Sequence, residues 1–132
     1  MILKVFLVIL LFSGSTFASY KFETVLDGLD DAWSFEFLSE DKILFTEMPG
    51  KLKIASLSDK SIIEISNVPS VQYSGQGGLS EVVLDPEFKS NNMIYFSYSA
   101  KNKNGKSTLF LSSAELVNNA LVNTKIIFEA IA

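Results

Sequence analysis

From Trp33 onward, short apolar runs alternate with turn residues, and no stretch of useful length has the period of an amphipathic helix. Runs of about four to eight residues that are rich in β-branched and aromatic side chains, with Gly, Pro, Asn, Asp or Ser at their ends, are typical of strands. The pattern predicts eight strands, at residues 33–38, 43–46, 52–56, 62–65, 79–84, 93–98, 108–113 and 125–128. We therefore expect an all-β fold.

The eight predicted strands form two groups of four. Superposing Trp33 on Leu79, an offset of 46 residues, places the apolar pair 37–38 on the apolar pair 83–84. A period of about 40–50 residues that contains four strands is typical of a β-propeller blade, because one four-stranded sheet cannot bury both of its faces alone. A small eight-stranded β-sandwich is the alternative architecture, and the repeat favours the propeller.

The first 18 residues have the pattern of a cleavable secretory signal peptide. Lys4 precedes an apolar run over 5–12, and the small residues Thr16 and Ala18 follow it. We expect cleavage after Ala18 and a mature chain, residues 19–132, that is periplasmic or secreted. The apolar run is about half the roughly 20 residues that a spanning helix needs, so no membrane span is expected after cleavage.

Composition removes several classes of function. Hydrophobic residues make up 48% of the 132 residues, which predicts a packed core. The absence of both His and Cys excludes disulfides, zinc sites built on those ligands, and Ser-His or Cys-His nucleophile pairs within this chain. All the basic residues are lysines and the formal net charge is −4, so no nucleic-acid partner is expected.

The segment 69–79 is a polar, glycine-rich loop that runs directly into the fifth predicted strand. Its three glycines, at 75, 77 and 78, surround Gln76. Glycine allows a positive φ or a close approach of the backbone, so this loop can present Gln76 and bare amides to a cavity. A tight turn between two blades that binds nothing is an equally good interpretation of this chemistry. A dinucleotide-binding fingerprint is excluded, because the glycines precede a strand and not a helix.

Three other groups of residues could bind a ligand or take part in catalysis, but a structural role is favoured for each. Trp33 is expected to pack between sheets rather than to stack on a sugar. The carboxylates of Asp30 and Asp31 lie beside a turn, where acidic residues are usually solvated or cap backbone amides. Asp85 is expected to form a turn, because one carboxylate cannot supply the roughly six to eight oxygens that calcium takes.

Several short motifs together carry a family resemblance. They lie at residues 28–29, 32–38, 44–47, 50–52, 75–79, 84–88, 91–92 and 94–98. The most specific are Gly-Gln-Gly-Gly-Leu at 75–79 and Leu-Asp-Pro-Glu-Phe at 84–88. The mature chain resembles the N-terminal part of the PQQ-dependent soluble aldose sugar dehydrogenases, the glucose/sorbosone dehydrogenase family. It departs from the family pattern at Ala32, usually Pro, and at Met48, usually Arg.

The resemblance implies a six-bladed propeller of which this chain holds about two blades. It implies PQQ at the mouth of the central channel with calcium beside it, an aldose substrate oxidised at the anomeric carbon to a lactone, and an external electron acceptor. Gln76 is the one motif position that the resemblance carries to the cofactor and sugar site. No metal ligand is assigned within this chain.

The resemblance places the catalytic His beyond Ala132, so no catalytic residue is expected in this chain, and the chain alone is expected to be inactive. Two other functions stay open. One is a non-catalytic propeller that binds a sugar or a protein, and the other is a calcium-dependent lactonase-type propeller without quinone.

Overall fold

The computed structural model describes residues 20–131, which form two four-stranded antiparallel sheets. The first sheet contains β1 (Ala32–Phe37), β2 (Lys42–Glu47), β3 (Lys51–Ser56) and β4 (Ile62–Glu64), and the second contains β5 (Leu79–Leu84), β6 (Met93–Lys101), β7 (Ser107–Val117) and β8 (Ala120–Glu129). A single helical turn, α1 (Phe88–Asn91), connects β5 to β6. The expected signal peptide, residues 1–18, lies outside the described residues.

Each sheet is a meander in which every strand pairs with the next strand of the chain. This is the topology of a propeller blade, whereas Ig-type sandwiches exchange strands between sheets through Greek-key connections. The prediction of an all-β chain with two four-stranded blades is therefore confirmed. Within residues 20–131 no helix is long and apolar enough to cross a membrane.

The last two strands are longer than the pattern predicts. Asn118 and Asn119 both have positive φ, 51° and 59°, which is the requirement of a two-residue type I′ hairpin. The turn pairs Val117 directly with Ala120, so β8 begins at Ala120 and not near Lys125.

The core lies between the two sheets. Alternate residues of β6, namely Ile94, Phe96 and Tyr98, are buried on one face, as the two-residue period of a strand requires. The ring of Tyr98 stacks between those of Phe96 and Phe110, at centroid distances of 5.8 and 5.5 Å. Leu44 and Leu52 contribute to the same cluster from the first sheet.

The first strands of the two sheets lie against each other. The Ser34 hydroxyl accepts a hydrogen bond from the Val82 amide at 3.3 Å, and the Thr46 hydroxyl donates to the Ser80 carbonyl at 2.7 Å. Because the strands alternate in direction, the start of β1, the β2–β3 turn and the loop before β5 share one end of the sheet pair. We call it the glycine-loop end, formed by residues 30–31, 48–50 and 67–78.

The outward faces of the two sheets stay apolar and open. Phe35 and Phe37 on β1 are 59% and 58% exposed, and Val83 on β5 and Leu109 on β7, whose neighbours Val82 and Phe110 are buried, are 48% and 46% exposed. Apolar area of this kind normally packs against another element. Each of the two blades thus leaves uncovered the apolar face that points away from the other blade.

Candidate functional site

Gln76 lies at the tip of a two-residue turn at the glycine-loop end. The amide of Gly77 donates to the Ser74 carbonyl at 2.9 Å, and the amide of Ser74 donates back to the Gly77 carbonyl at 3.2 Å. Gly75, the first residue of the tip, has φ +59°, a conformation that favours glycine at the first central position of a tight hairpin turn. The Gln76 side chain is exposed. The structure therefore presents Gln76 to solvent at the tip of its turn. That it faces a cavity, and that it contacts a cofactor, stay predictions.

The base of this turn is pinned to the second sheet. The Gln72 amide donates to the carbonyl of Ser99 at 2.7 Å, and the Ser99 amide donates to the Gly78 carbonyl at 2.9 Å. Both ends of the loop thus bond to the same residue of β6, so the base is held while the tip projects.

The far end of the loop also packs against the first sheet. Leu79 donates its amide to the carbonyl of Met48 at 3.0 Å, and Gly78 lies so close to this carbonyl that it has no room for a side chain. Met48 itself is buried. At the position where the family pattern usually has Arg, this chain therefore places a packing residue and not an exposed cation.

Tyr73 ties the loop to the segment before β1. Its hydroxyl donates a hydrogen bond to the carboxylate of Asp31, 42 residues earlier in the chain. That hydrogen bond raises the pKa of Tyr73, and the negative charges of Asp31 and Asp30 add to the effect. The acidic pair, expected to be solvated or to cap amides, thus also receives a side chain from the glycine-rich loop.

A buried ion pair lies beneath the same segment. Glu47 is fully buried, and its carboxylate accepts a hydrogen bond from the Asp30 amide at 3.0 Å. Its other oxygen lies 2.7 Å from the ammonium of Lys53, which is 17% exposed. A buried carboxylate needs such partners, because removing an unpaired charge from water is strongly unfavourable.

The sequence pattern did not identify Tyr73, Glu47 or Lys53 as residues of the site. One signal for the ion pair was present, since Glu47 ends an apolar strand and Lys53 lies two residues beyond the direct cross-strand partner of Glu47, Lys51. Diagonal neighbours at that spacing are within reach of long side chains.

Trp33 joins the two first strands. Its indole Nε1 donates to the Glu81 carboxylate of β5 at 3.1 Å, while 55% of the residue stays exposed. The expectation that Trp33 packs between sheets is therefore only partly met. A register irregularity between Ala32 and Phe35 interrupts the regular alternation of β1 at this residue.

Asp85 has a structural role. Its carboxylate accepts hydrogen bonds from the Asn91 side chain and the Glu87 amide, at 2.9 and 2.8 Å, and from the Tyr95 hydroxyl at 2.9 Å. These bonds, that of Asn91 foremost, lower the pKa of Asp85. The turn interpretation is confirmed, since the donors that hold this carboxylate belong to the β5–β6 connection and the strand that follows.

Residues 20–131 contain no group of three or more His, Cys, Asp or Glu side chains that could hold a metal ion. Calcium takes about six to eight oxygen ligands, several of them usually carboxylates. The described residues do not fit a calcium site, and we assign them no calcium ligand.

Two consecutive four-stranded meanders, packed through their first strands with a loop turn projecting at one end, define part of a β-propeller. Residues 29–132 match the glucose/sorbosone dehydrogenase family. The chain belongs to this family.

Two curated proteins are similar to this chain. The chain is 34% identical over 113 residues to an uncharacterized protein of Synechocystis sp., an alignment that covers 80% of this chain and 27% of the relative. It is 36% identical over 90 residues to the aldose sugar dehydrogenase YliI of Escherichia coli (strain K12), covering 67% of this chain and 24% of YliI. The chain thus spans about a quarter of the length of these relatives.

Solved structures share the fold. A glucose dehydrogenase crystal structure matches with a TM-score of 0.75 at 35% identity, over 81% of this chain and 32% of the other. The apo form of the soluble aldose sugar dehydrogenase of Escherichia coli matches with a TM-score of 0.76 at 30% identity, over 83% and 32%. The PQQ-bound form of the aldose sugar dehydrogenase of Streptomyces coelicolor matches in fold, with a TM-score of 0.68 at 21% identity, over 83% and 33%.

Proposed function

We propose that this chain is the first part of an exported, PQQ-dependent dehydrogenase that oxidises an aldose at the anomeric carbon to its lactone and passes the electrons to an external acceptor. Membership of the glucose/sorbosone dehydrogenase family supports this proposal. The observation that carries it for the described residues is the exposed turn that presents Gln76 at the glycine-loop end.

Gln76 fits a contact with a quinone or a sugar. Its carboxamide both donates and accepts hydrogen bonds. A β-carbon placed on Gly75 would meet no atom within 4 Å, so the space beside the tip is open. The bound cofactor would supply the acceptor for the hydride, and Gln76 would orient it or the sugar.

We propose, from the family resemblance, that the catalytic His and the cations that hold the quinone lie in residues beyond Ala132; the present sequence contains neither His nor Arg. A general base is needed for the anomeric hydroxyl, and cations are needed for the carboxylates of PQQ. We therefore propose that residues 19–132 alone neither bind PQQ tightly nor oxidise sugars, and that any calcium ligands also lie outside residues 20–131.

The test uses the full-length protein that contains this chain. Addition of PQQ and calcium should give dye-linked oxidation of aldoses, a lactone product detectable by NMR, and activity that is lost with a chelator and restored by calcium. Residues 19–132 alone, assayed with the same additions, should be inactive. Oxidation by this piece alone would contradict the requirement for the missing groups.

Two results would favour the other functions. Hydrolysis of lactones with calcium and without PQQ would identify a lactonase-type propeller. Binding of a sugar without turnover, in a protein that does not bind PQQ, would identify a non-catalytic propeller.

The export proposal has a separate test. Mass spectrometry of the exported protein should find Ser19 at the N-terminus, because small residues at Thr16 and Ala18 follow the apolar run. Retention of Met1 in the exported fraction would contradict it.

A further inference from the structure

The turn that carries Gln76 is connected, through side-chain and backbone hydrogen bonds, to a buried ion pair in the neighbouring sheet. We propose that Tyr73 is a positioning residue for Gln76, and that the pair formed by Glu47 and Lys53 sets the position of Asp31, the residue to which Tyr73 is bonded. The inference rests on the proposed function, since it assigns Tyr73 a role toward the site that Gln76 would contact.

The first step is the segment before β1. The buried carboxylate of Glu47 accepts the Asp30 amide, and the next amide of the chain, that of Met48, donates to the Asp31 carbonyl at 3.0 Å. Asp31 has φ +49°, an uncommon conformation for a residue other than glycine. Two hydrogen bonds from the end of β2 therefore hold the backbone on both sides of this conformation.

Lys53 completes this step. The Lys53 ammonium lies 2.7 Å from the second carboxylate oxygen of Glu47 and is the cation paired with this buried side chain. Loss of the lysine would leave a buried carboxylate unpaired, and this carboxylate would have to move or recruit water. Either change displaces the group that holds the Asp30 amide.

The second step is the hydrogen bond from the Tyr73 hydroxyl to the Asp31 carboxylate. Tyr73 is 47% exposed and does not belong to the hydrophobic core cluster or to the apolar residues packed against it. It precedes Ser74, where the Gln76 turn begins. The bond therefore joins the loop to the segment before β1, whereas the backbone bonds of residues 72 and 78 join it to Ser99 of the second sheet.

The consequence concerns alignment rather than folding. The base of the turn is held by backbone bonds to Ser99, and they persist without the tyrosine hydroxyl. A functional side chain must be held to within about 0.5 Å for efficient chemistry, and misplacement by about 1 Å lowers rates strongly. Loss of the Tyr73 hydroxyl should therefore lower turnover and leave the fold intact.

The experiment measures kcat, KM, melting temperature and amide hydrogen exchange of residues 74–77 in the full-length protein. Tyr73→Phe should lower kcat/KM about three- to tenfold, the usual effect of one hydrogen bond, with the loss mainly in kcat. Exchange at residues 74–77 should become faster, and the melting temperature should change by no more than about 2 °C.

Substitutions of Asp31, the acceptor of the Tyr73 hydrogen bond, test whether the bond itself is responsible. Asp31→Asn keeps an acceptor oxygen and should retain most of the activity, whereas Asp31→Gly, which also tolerates the positive φ, should lose as much as Tyr73→Phe. Combining Tyr73→Phe with Asp31→Gly should cause no further loss, because both substitutions remove the same bond. Lys51→Met is the matched control, since it removes the exposed Lys51–Glu64 ion pair of the same sheet and should leave both kcat/KM and exchange unchanged.

The proposal would be overturned if the double variant lost kcat/KM by the product of the two single losses. It would also be overturned if amide hydrogen exchange at residues 74–77 were unchanged in Tyr73→Phe. If the unmodified protein does not oxidise aldoses, the proposed function fails. Hydrogen exchange then decides the positioning role by itself, because it needs neither cofactor nor substrate.

Discussion

A β-carbon on Gly78 would lie 2.2 Å from the carbonyl oxygen of Met48. Real β-carbons do not approach another atom this closely, so the glycine is required by the contact between the loop and the β2–β3 turn. The same carbonyl accepts the amide of Leu79, the first residue of the second sheet. The relative position of the two blades is therefore fixed in part by a backbone contact that only glycine permits.

Gly78→Asn should destabilise the protein by about 2–3 kcal/mol, because the Met48 backbone must move to admit the side chain. The matched control is Gly105→Asn in the β6–β7 hairpin. Gly105 has φ +75°, which Asn tolerates, and a β-carbon placed on it would meet no atom within 4 Å. Denaturation of the full-length protein by urea should show a loss for the first variant and a change within about 0.5 kcal/mol for the second. Equal losses would contradict the steric argument.

Gln76→Ala should lower kcat/KM about tenfold in the full-length protein, which corresponds to the loss of one hydrogen bond in the site. The melting temperature should barely change, because the side chain is exposed at the tip of its turn. Both quantities should be measured on one preparation. Unchanged turnover with a melting temperature lowered by several degrees would show that Gln76 is a turn residue only.

Lys53→Met should destabilise the protein by about 3 kcal/mol, because it leaves the fully buried carboxylate of Glu47 without its cation. Lys51→Met, on the same strand, removes an ion pair whose side chains are 49% and 57% exposed and should cost at most about 1 kcal/mol. Chemical denaturation compares the two. A loss for Lys51→Met as large as that for Lys53→Met would show that burial of the pair is unimportant.

Asp85→Asn should lower the free energy of unfolding at pH 7. The donors around the Asp85 carboxylate hold its pKa below the ordinary value in the folded protein. The ionised group therefore contributes stability above the unfolded-state pKa, near pH 4, and this contribution is lost as pH falls through the lowered pKa. The difference between Asp85→Asn and the unmodified protein should accordingly shrink below about pH 4.

Urea denaturation at several pH values between 7 and 3 measures this difference. Tyr95→Phe removes one of the donors and should show the same trend with a smaller amplitude. A difference that stays constant from pH 7 to pH 3 would mean that the carboxylate charge is not involved.

Local chemistry in the sequence was sufficient to predict the eight strands and their grouping into two blades. Strand alternation and turn residues act over a few neighbouring positions, so they can be recognised without the fold. The glycines around Gln76 predicted a turn for the same reason. The start of β8 was not predicted, because it depends on the Asn118-Asn119 hairpin pairing Val117 with Ala120.

The sequence by itself thus determined the local elements, the repeat and the family motifs of this protein. Only the tertiary structure decided that Tyr73 meets Asp31, that Trp33 meets Glu81, and that Glu47 is buried beside Lys53. The first two contacts join residues 42 and 48 positions apart. Such pairs have no periodic signature, since they arise from the packing of one sheet against the other and from the burial that this packing imposes on a charged side chain.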